Sequence, residues 1–305
     1  SWVQIGQRID GPSAQSGNLG HGIKLNDAGD RVALGIAYAD SNGVDSGLVR
    51  VYDLSGSTWV QKGGDIIGEA AYDYMGFNVL GMNSSGTRVC IGSFANDGGG
   101  TNAGSVRVYE LSAGSTSWVK IGQDVDAPST GYSLGWTVDM NAAGDTFVVG
   151  APYGDILPPG LTYNTDEGWM KVYQLSSTAL SGLRWVLKGT TVPVGSRSVT
   201  ASADAAGAIM GETAGERFGW SVAINADGNR IAGGGYLNDV AYTDAGVVRF
   251  YEWNGVDWVK MSGEAYGTEA GAYLGGSAQS IRFNNTGDVA ILGSYTNNAG
   301  TAIDA

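Results

Sequence analysis

The chain has few of the residues that most enzyme chemistry depends on. It has one cysteine and one histidine in 305 residues. With Cys90 alone, no intrachain disulfide can form. Cys90 falls in "RVCIGS", in register with Ala33 of "RVALGI" and Val148 of "TFVVGA", so it reads as a small buried apolar residue. His21 aligns with Phe77, Trp136 and Trp220. It therefore reads as a core or axial residue, not as the base of a triad. No H-E-x-x-H, G-x-S-x-G or phosphate-loop pattern occurs.

Positive charge is also scarce. Lys and Arg number 17 against 30 acids, for a net charge of −13. With no basic stripe to displace counterions, nucleic acid and anionic membranes are poor partners. No apolar run is long enough to span a bilayer as a helix. The chain opens without Met and without a signal peptide, which reads as a processed product or a segment of something longer.

Glycine, by contrast, is abundant at 51 residues, and hydrophobic residues make up 43%. The glycines separate short apolar runs rich in β-branched and aromatic residues, the pattern of an all-β chain. The opening "SWVQIG" returns as "TWVQKG", "SWVKIG", "RWVLKG" and "DWVKMS". Between these copies three other runs recur in fixed order. Strand A reads "LGHGIKLN", "MGFNVLGMN", "LGWTVDMN", "FGWSVAIN" and "LGGSAQSIRFN". Strand B runs from "RVALGIAY" to "VAILGSY", and strand C from "GLVRVYDL" to "GVVRFYEW". The tryptophan run is strand D. Four short strands per repeat is the signature of a propeller blade.

The expected architecture is a single all-β domain over residues 1–305, a propeller of four-stranded antiparallel blades. The blades fall at about 18–69, 75–127, 133–192, 218–264 and 274–305, with residues 1–9 supplying the last outer strand and closing a five-bladed ring. A longer propeller cut at both ends is the alternative. Strands A and B are joined by "NDAGD", "NSSGT", "NAAGD", "NADGN" and "NNTGD", tight turns with Gly at the φ > 0 position.

Two stretches resemble the FG-GAP repeat of integrin-type propellers. One is Phe218-Gly219-Trp220 running to "DGNRIAGGG"; the other is Leu134-Gly135-Trp136 running to Gly150-Ala151-Pro152. The unit is also similar to repeats of extracellular proteins. The resemblance implies a propeller and an extracellular or cell-surface setting, and it leaves function open. FG-GAP blades often carry a calcium loop between strands A and B. Here that loop is shortened to a turn in which Asn225, Asp227 and Asn229 keep a trace of it.

Strand direction alternates, so the A–B and C–D turns share one rim and the B–C and D–A loops share the other. The second rim carries the long loops, at 10–18, 39–46, 67–74, 95–103, 153–167, 193–217 and 237–245. Binding concentrates on loops held by a rigid scaffold. Tyr72, Tyr74, Tyr132, Tyr153, Tyr163, Tyr236, Tyr242 and Tyr273 fall on or beside this rim and suit sugar or protein contacts. Oxygens for calcium, where a cation is held, come from Asp40, Asn42, Asp45, Asp97, Asn102, Asp239 and Asp244. No cofactor is required. Asn83 and Asn284 head N-glycosylation sequons on the short-turn rim. Asp139 is the main acid on the inner strands, one carboxylate where glycosidase chemistry needs two. The expected function is non-enzymatic: an adhesion or structural module that meets a protein partner or extracellular assembly through the long-loop rim. The alternative is a lectin-like carbohydrate binder on the same rim, and the weaker alternative a glycosidase.

Overall fold

A computed structural model describes residues 1–11, 19–78, 80–155, 166–177, 184–189 and 206–295. Every regular element in it is a β-strand. The first sheet holds β1 (Leu19–Leu25), β2 (Arg31–Ile36), β3 (Leu48–Ser55), β4 (Thr58–Gln61) and β5 (Ile66–Ile67). The second holds β6 (Leu80–Met82), β7 (Arg88–Ser93), β8 (Ser105–Glu110), β9 (Val119–Lys120) and β10 (Val125–Asp126). The third holds β11 (Thr137–Met140), β12 (Thr146–Ala151), β13 (Trp169–Ser176), β14 (Arg184–Leu187) and β15 (Ile209–Met210). The fourth holds β16 (Ser221–Ile224), β17 (Arg230–Gly235), β18 (Val247–Trp253), β19 (Trp258–Lys260) and β20 (Ala265–Tyr266). The fifth is the hairpin of β21 (Ile281–Phe283) and β22 (Ala290–Leu292).

All pairings within the sheets are antiparallel, and the order A-B-C-D is the one read from the repeat. The fold is a β-propeller of five sheets about one axis. The outer strand differs from expectation, because it comes in two pieces. β4 pairs with the end of β3 and β5 with its start, and the same split recurs at β14/β15 and β19/β20 on their own C strands.

The second, third and fourth blades bury both faces. β2, β7 and β17 are buried at every position after the first, and β12 throughout. Separate apolar clusters join blade one to two, two to three, three to four and four to five. Backbone closeness matters as much as side-chain burial. A Cβ on Gly35, Gly92 or Gly150 would sit 2.0 Å from the carbonyl oxygen of Gly76, Gly135 or Gly219 in the next blade. Only a residue with no Cβ lets the neighbouring chain enter there, which explains the glycine near the end of strand B in the first three blades.

The circle expected from residues 1–9 is not formed among the described residues. Residues 1–11 contain no strand. Instead, Ile5–Gln7 dock on the first blade: Trp59 Nε1 donates to Ile5 O at 3.2 Å, and Gln7 exchanges two hydrogen bonds with the Trp59 backbone. Trp118, Trp185 and Trp258 grip Lys62, Ile121 and Lys188 of the preceding blade in the same way. The first hexapeptide thus holds the place of a preceding outer strand without pairing as one. β22 shows the consequence, with Ile291 76% exposed, and a Cβ on Gly293 would meet only Ser280 of its own hairpin.

Candidate functional site

The two ends of the axis differ in chemistry. At the short-turn end, a cavity of about 140 Å³ is lined by all five inner strands. Lys24 Nζ donates to Asp139 Oδ1 at 2.7 Å, and Ile224 N donates to the other carboxylate oxygen at 3.2 Å. Asp139 is thus a buried, neutralised axial residue that ties blades one, three and four together. Around it the turns form a ladder: Asp27 N bonds Ser84 O, Ser84 N bonds Ala142 O, Ala142 N bonds Ala226 O, and Ala226 N bonds Asn285 O.

The repeated Asn builds each of these turns. The Oδ1 of Asn26, Asn141 and Asn225 accepts the amides four and five residues on. Arg31, Arg88 and Arg230 reach across to the turn carbonyls of Gly86, Gly144 and Gly287 in the next blade. Blade three has Thr146 in place of that arginine, and Lys188 Nζ caps Gly228 O instead at 2.5 Å. Asn83 is buried, with Oδ1 accepting from Arg88 N and Nδ2 donating to Ser85 and Thr87. A glycan on Asn83 would require this turn to open. Asn284 is exposed.

At the long-loop end an arc of aromatic rings surrounds the axis. His21 stacks on Phe77 at 4.7 Å, Phe77 meets Trp136 at 6.2 Å, and Trp136 meets Trp220 at 4.6 Å. These are the residues after the Leu/Met/Phe-Gly pair of strand A. Tyr38, Tyr74, Phe94, Tyr153, Tyr236 and Tyr273 form a second tier against them. Arg217 lies over the Tyr153 ring at 4.9 Å and donates to Tyr236 Oη at 2.7 Å. In the fifth blade Gly276 stands where the other blades carry a ring. The gap opens a cup of about 520 Å³ lined by His21, Asn78, Trp136, Trp220, Gly276–Gln279 and Tyr295.

The expected tyrosines divide into three groups. Tyr74, Tyr153, Tyr236 and Tyr273 join the arc. Tyr132 turns away, edge-on to Trp169, and donates to Asp155 O. Tyr72 and Tyr242 stand exposed at loop tips, at 55% and 53%. Tyr163 lies outside the described residues, as do parts of the loops at 10–18, 153–167 and 193–217. His21, Phe77, Trp136 and Trp220 were not expected as site residues, although their shared column in the repeat was readable.

The residues expected to offer oxygens to calcium shape the loops. Asp40, Asp97 and Asp239 each accept, through Oδ1, the amide of the residue five further on: Asp45, Asn102 and Asp244. Each of those three has positive φ. Asn42 Nδ2 donates to the carbonyls of Gly68 and Glu69. Among the described residues no group of three or more His, Cys, Asp or Glu side chains gathers to hold a metal.

Buried charge braces the same rim. Arg249 and Glu216 are both fully buried and paired, and Glu212 and Glu264 lie within 3.6 Å of the guanidinium. Burial alone would lower the Arg249 pKa, but the bonds to Glu216 outweigh it and hold it above the usual arginine value. Arg107 bridges Glu69 and Asp124 in the second blade. The Cys90 thiol is pushed up to about 12, by burial first and the Asp139 charge second. It therefore stays protonated at neutral pH and is not a nucleophile.

Fold and site together define a five-sheet β-propeller with a polar, internally neutralised pore at one end and an aromatic cup at the other. Comparison with family models and with curated proteins gave no match. Solved structures that it resembles include a 6-phosphogluconolactonase-like protein from Bacteroides uniformis, at 11% identity and TM-score 0.47, covering 81% of this chain and 54% of that one. The β-propeller domain of the Trilobed protease from Pyrococcus furiosus matches at 13% identity and TM-score 0.37, covering 78% and 56%. The tricorn protease matches at 9% identity and TM-score 0.39, covering 78% and 22%. The chain spans little more than half the length of the first two.

Proposed function

We propose that the chain is a non-enzymatic interaction module that presents its long-loop rim to a protein partner or extracellular assembly. One observation carries this reading. Among the described residues, the positive-φ positions other than glycine are Asp45, Tyr72, Tyr74, Asn102, Ser133, Asp166, Arg217, Asp244 and Tyr273, and all of these lie in loops of that rim. Such conformations persist only where the surroundings impose them, and they cluster at binding sites. The exposed Tyr72 and Tyr242 are the contact residues. The FG-GAP-like repeat supports a cell-surface or extracellular setting.

Beads coated with the protein test the reading by their attachment to cells or to extracellular polymer. The Tyr72→Ser/Tyr242→Ser pair lowers attachment several-fold. Val256→Ser, at a still more exposed site on the opposite rim, leaves it unchanged. The reverse pattern refutes the reading. A second reading, carbohydrate recognition, draws on the aromatic cup. Turnover of a glycoside, lost in Asp139→Asn, would replace both with an enzyme.

A further inference from the structure

Resting on the long-loop rim as the binding face, we propose that the axial cup is a site for a single neutral pyranose ring. The cup exists because the repeat breaks at one position. Gly276 replaces the ring that His21, Phe77, Trp136 and Trp220 supply in the other blades. Its volume of about 520 Å³ lies in the range of small-molecule pockets.

The lining has a definite chemistry. The chain carries a net charge of −13, yet among the described residues no Asp, Glu, Lys or Arg lines the cup. A charged ligand would find no counter-ion there, and moving it out of water would be costly. Two indoles at 4.6 Å and 45° form the wall. The side chains of Asn78, Ser277, Gln279 and Tyr295 form a polar edge. A pyranose matches both surfaces: its C–H face packs on an aromatic ring, and its hydroxyls lie at the rim.

The two tryptophans have different roles. Trp220 Nε1 is pinned to Gly276 O at 2.9 Å, so its ring is a fixed platform. Trp136 Nε1 is buried with no acceptor among the described residues, and its ring is held by packing against Phe77, Phe94, Tyr153 and Trp220. The site is also single. The structure gathers the aromatics of the long-loop rim around one axis.

Titration of intrinsic tryptophan fluorescence and calorimetry with a panel of neutral methyl pyranosides and disaccharides test the proposal. At least one sugar gives a saturable change with one site per chain. Ser277→Trp, an exposed lining position, fills the cup and weakens that sugar by roughly tenfold or more, about 1.4 kcal/mol, with the melting temperature unchanged. Tyr295→Ala weakens it a few-fold. The proposal is overturned if no pyranoside binds, if several bind per chain, or if Ser277→Trp has no effect. Attachment of coated beads that persists without any sugar binding refutes the cup and leaves the rim reading standing. Sugar binding without attachment does the opposite.

Discussion

Both rims are built from the same five repeats, yet they are made stiff in different ways. On the short-turn rim the strained backbone is left to glycine. Gly29, Gly86, Gly144, Gly228 and Gly287 take positive φ, and an Asn side chain ties each turn. On the long-loop rim, residues with side chains also hold that conformation, braced by Asp40, Asp97 and Asp239 and by buried charge. The first arrangement is an economical way to close a hairpin. The second keeps specific side chains in strained positions, which a loop serving only as a connection does not need.

The largest expected contrast is electrostatic. Arg249→Met on the long-loop side leaves Glu216 buried without its partner and costs about 3–5 kcal/mol in chemical denaturation. Arg230→Met on the short-turn side breaks a half-exposed pair with Glu252 and costs less than about 1 kcal/mol. Equal losses would erase the distinction between the rims.

A smaller contrast comes from glycine. Gly92→Ala forces a Cβ against the Gly135 carbonyl and costs about 2–3 kcal/mol by overpacking. Gly29→Ala has φ of 70° but nothing within 4 Å, so it costs only about 1 kcal/mol of backbone strain. Gly293→Ala, where among the described residues a Cβ meets only Ser280 of its own hairpin, sharpens the comparison. It is nearly neutral if the fifth blade stays uncovered, and as costly as Gly92→Ala if another chain segment seats there.

The smallest effect is on acid stability. Hydrogen bonds from Arg50, then Gln61, hold Asp65 below the usual carboxylate range. Asp124 and Glu264 are also lowered: burial opposes the shift, but bonds from Lys120 and Arg107, and from Lys260 and Tyr266, outweigh it. A depressed carboxylate stabilises the fold above its unfolded pKa of about 4 and loses that contribution as pH falls through the folded value. Unfolding free energy therefore declines below about pH 4, by less than about 1 kcal/mol per pair. Asp65→Asn flattens that decline slightly.

The blade pattern was legible because the tryptophan hexapeptide, the Asn-x-x-Gly turn and the apolar strand B each repeat with a physical reason visible in one copy. The cup was harder to see. Its signal is the one column reading His21, Phe77, Trp136, Trp220 and Gly276, and an absent ring draws less attention than a present one. The loop acids are legible only as oxygen donors, because Asp and Asn serve both calcium and tight loops; in the structure Asp40, Asp97 and Asp239 accept the amides of Asp45, Asn102 and Asp244. The clasp failed for a different reason. "SWVQIG" does sit in the outer-strand position, held by Trp59, but membership of a repeat does not ensure that the segment pairs as a strand.

Hydrogen exchange on the whole chain tests most directly whether the long-loop rim is preorganised. The amides of Asp45, Asn102 and Asp244 are expected to exchange as slowly as those of the short turns, such as Arg88 and Arg230, and to speed up when Asp40, Asp97 or Asp239 becomes Ala. Exchange of these three amides at unstructured-chain rates in the unaltered protein would show that the loops are loose connections and that the rim is not a built binding face.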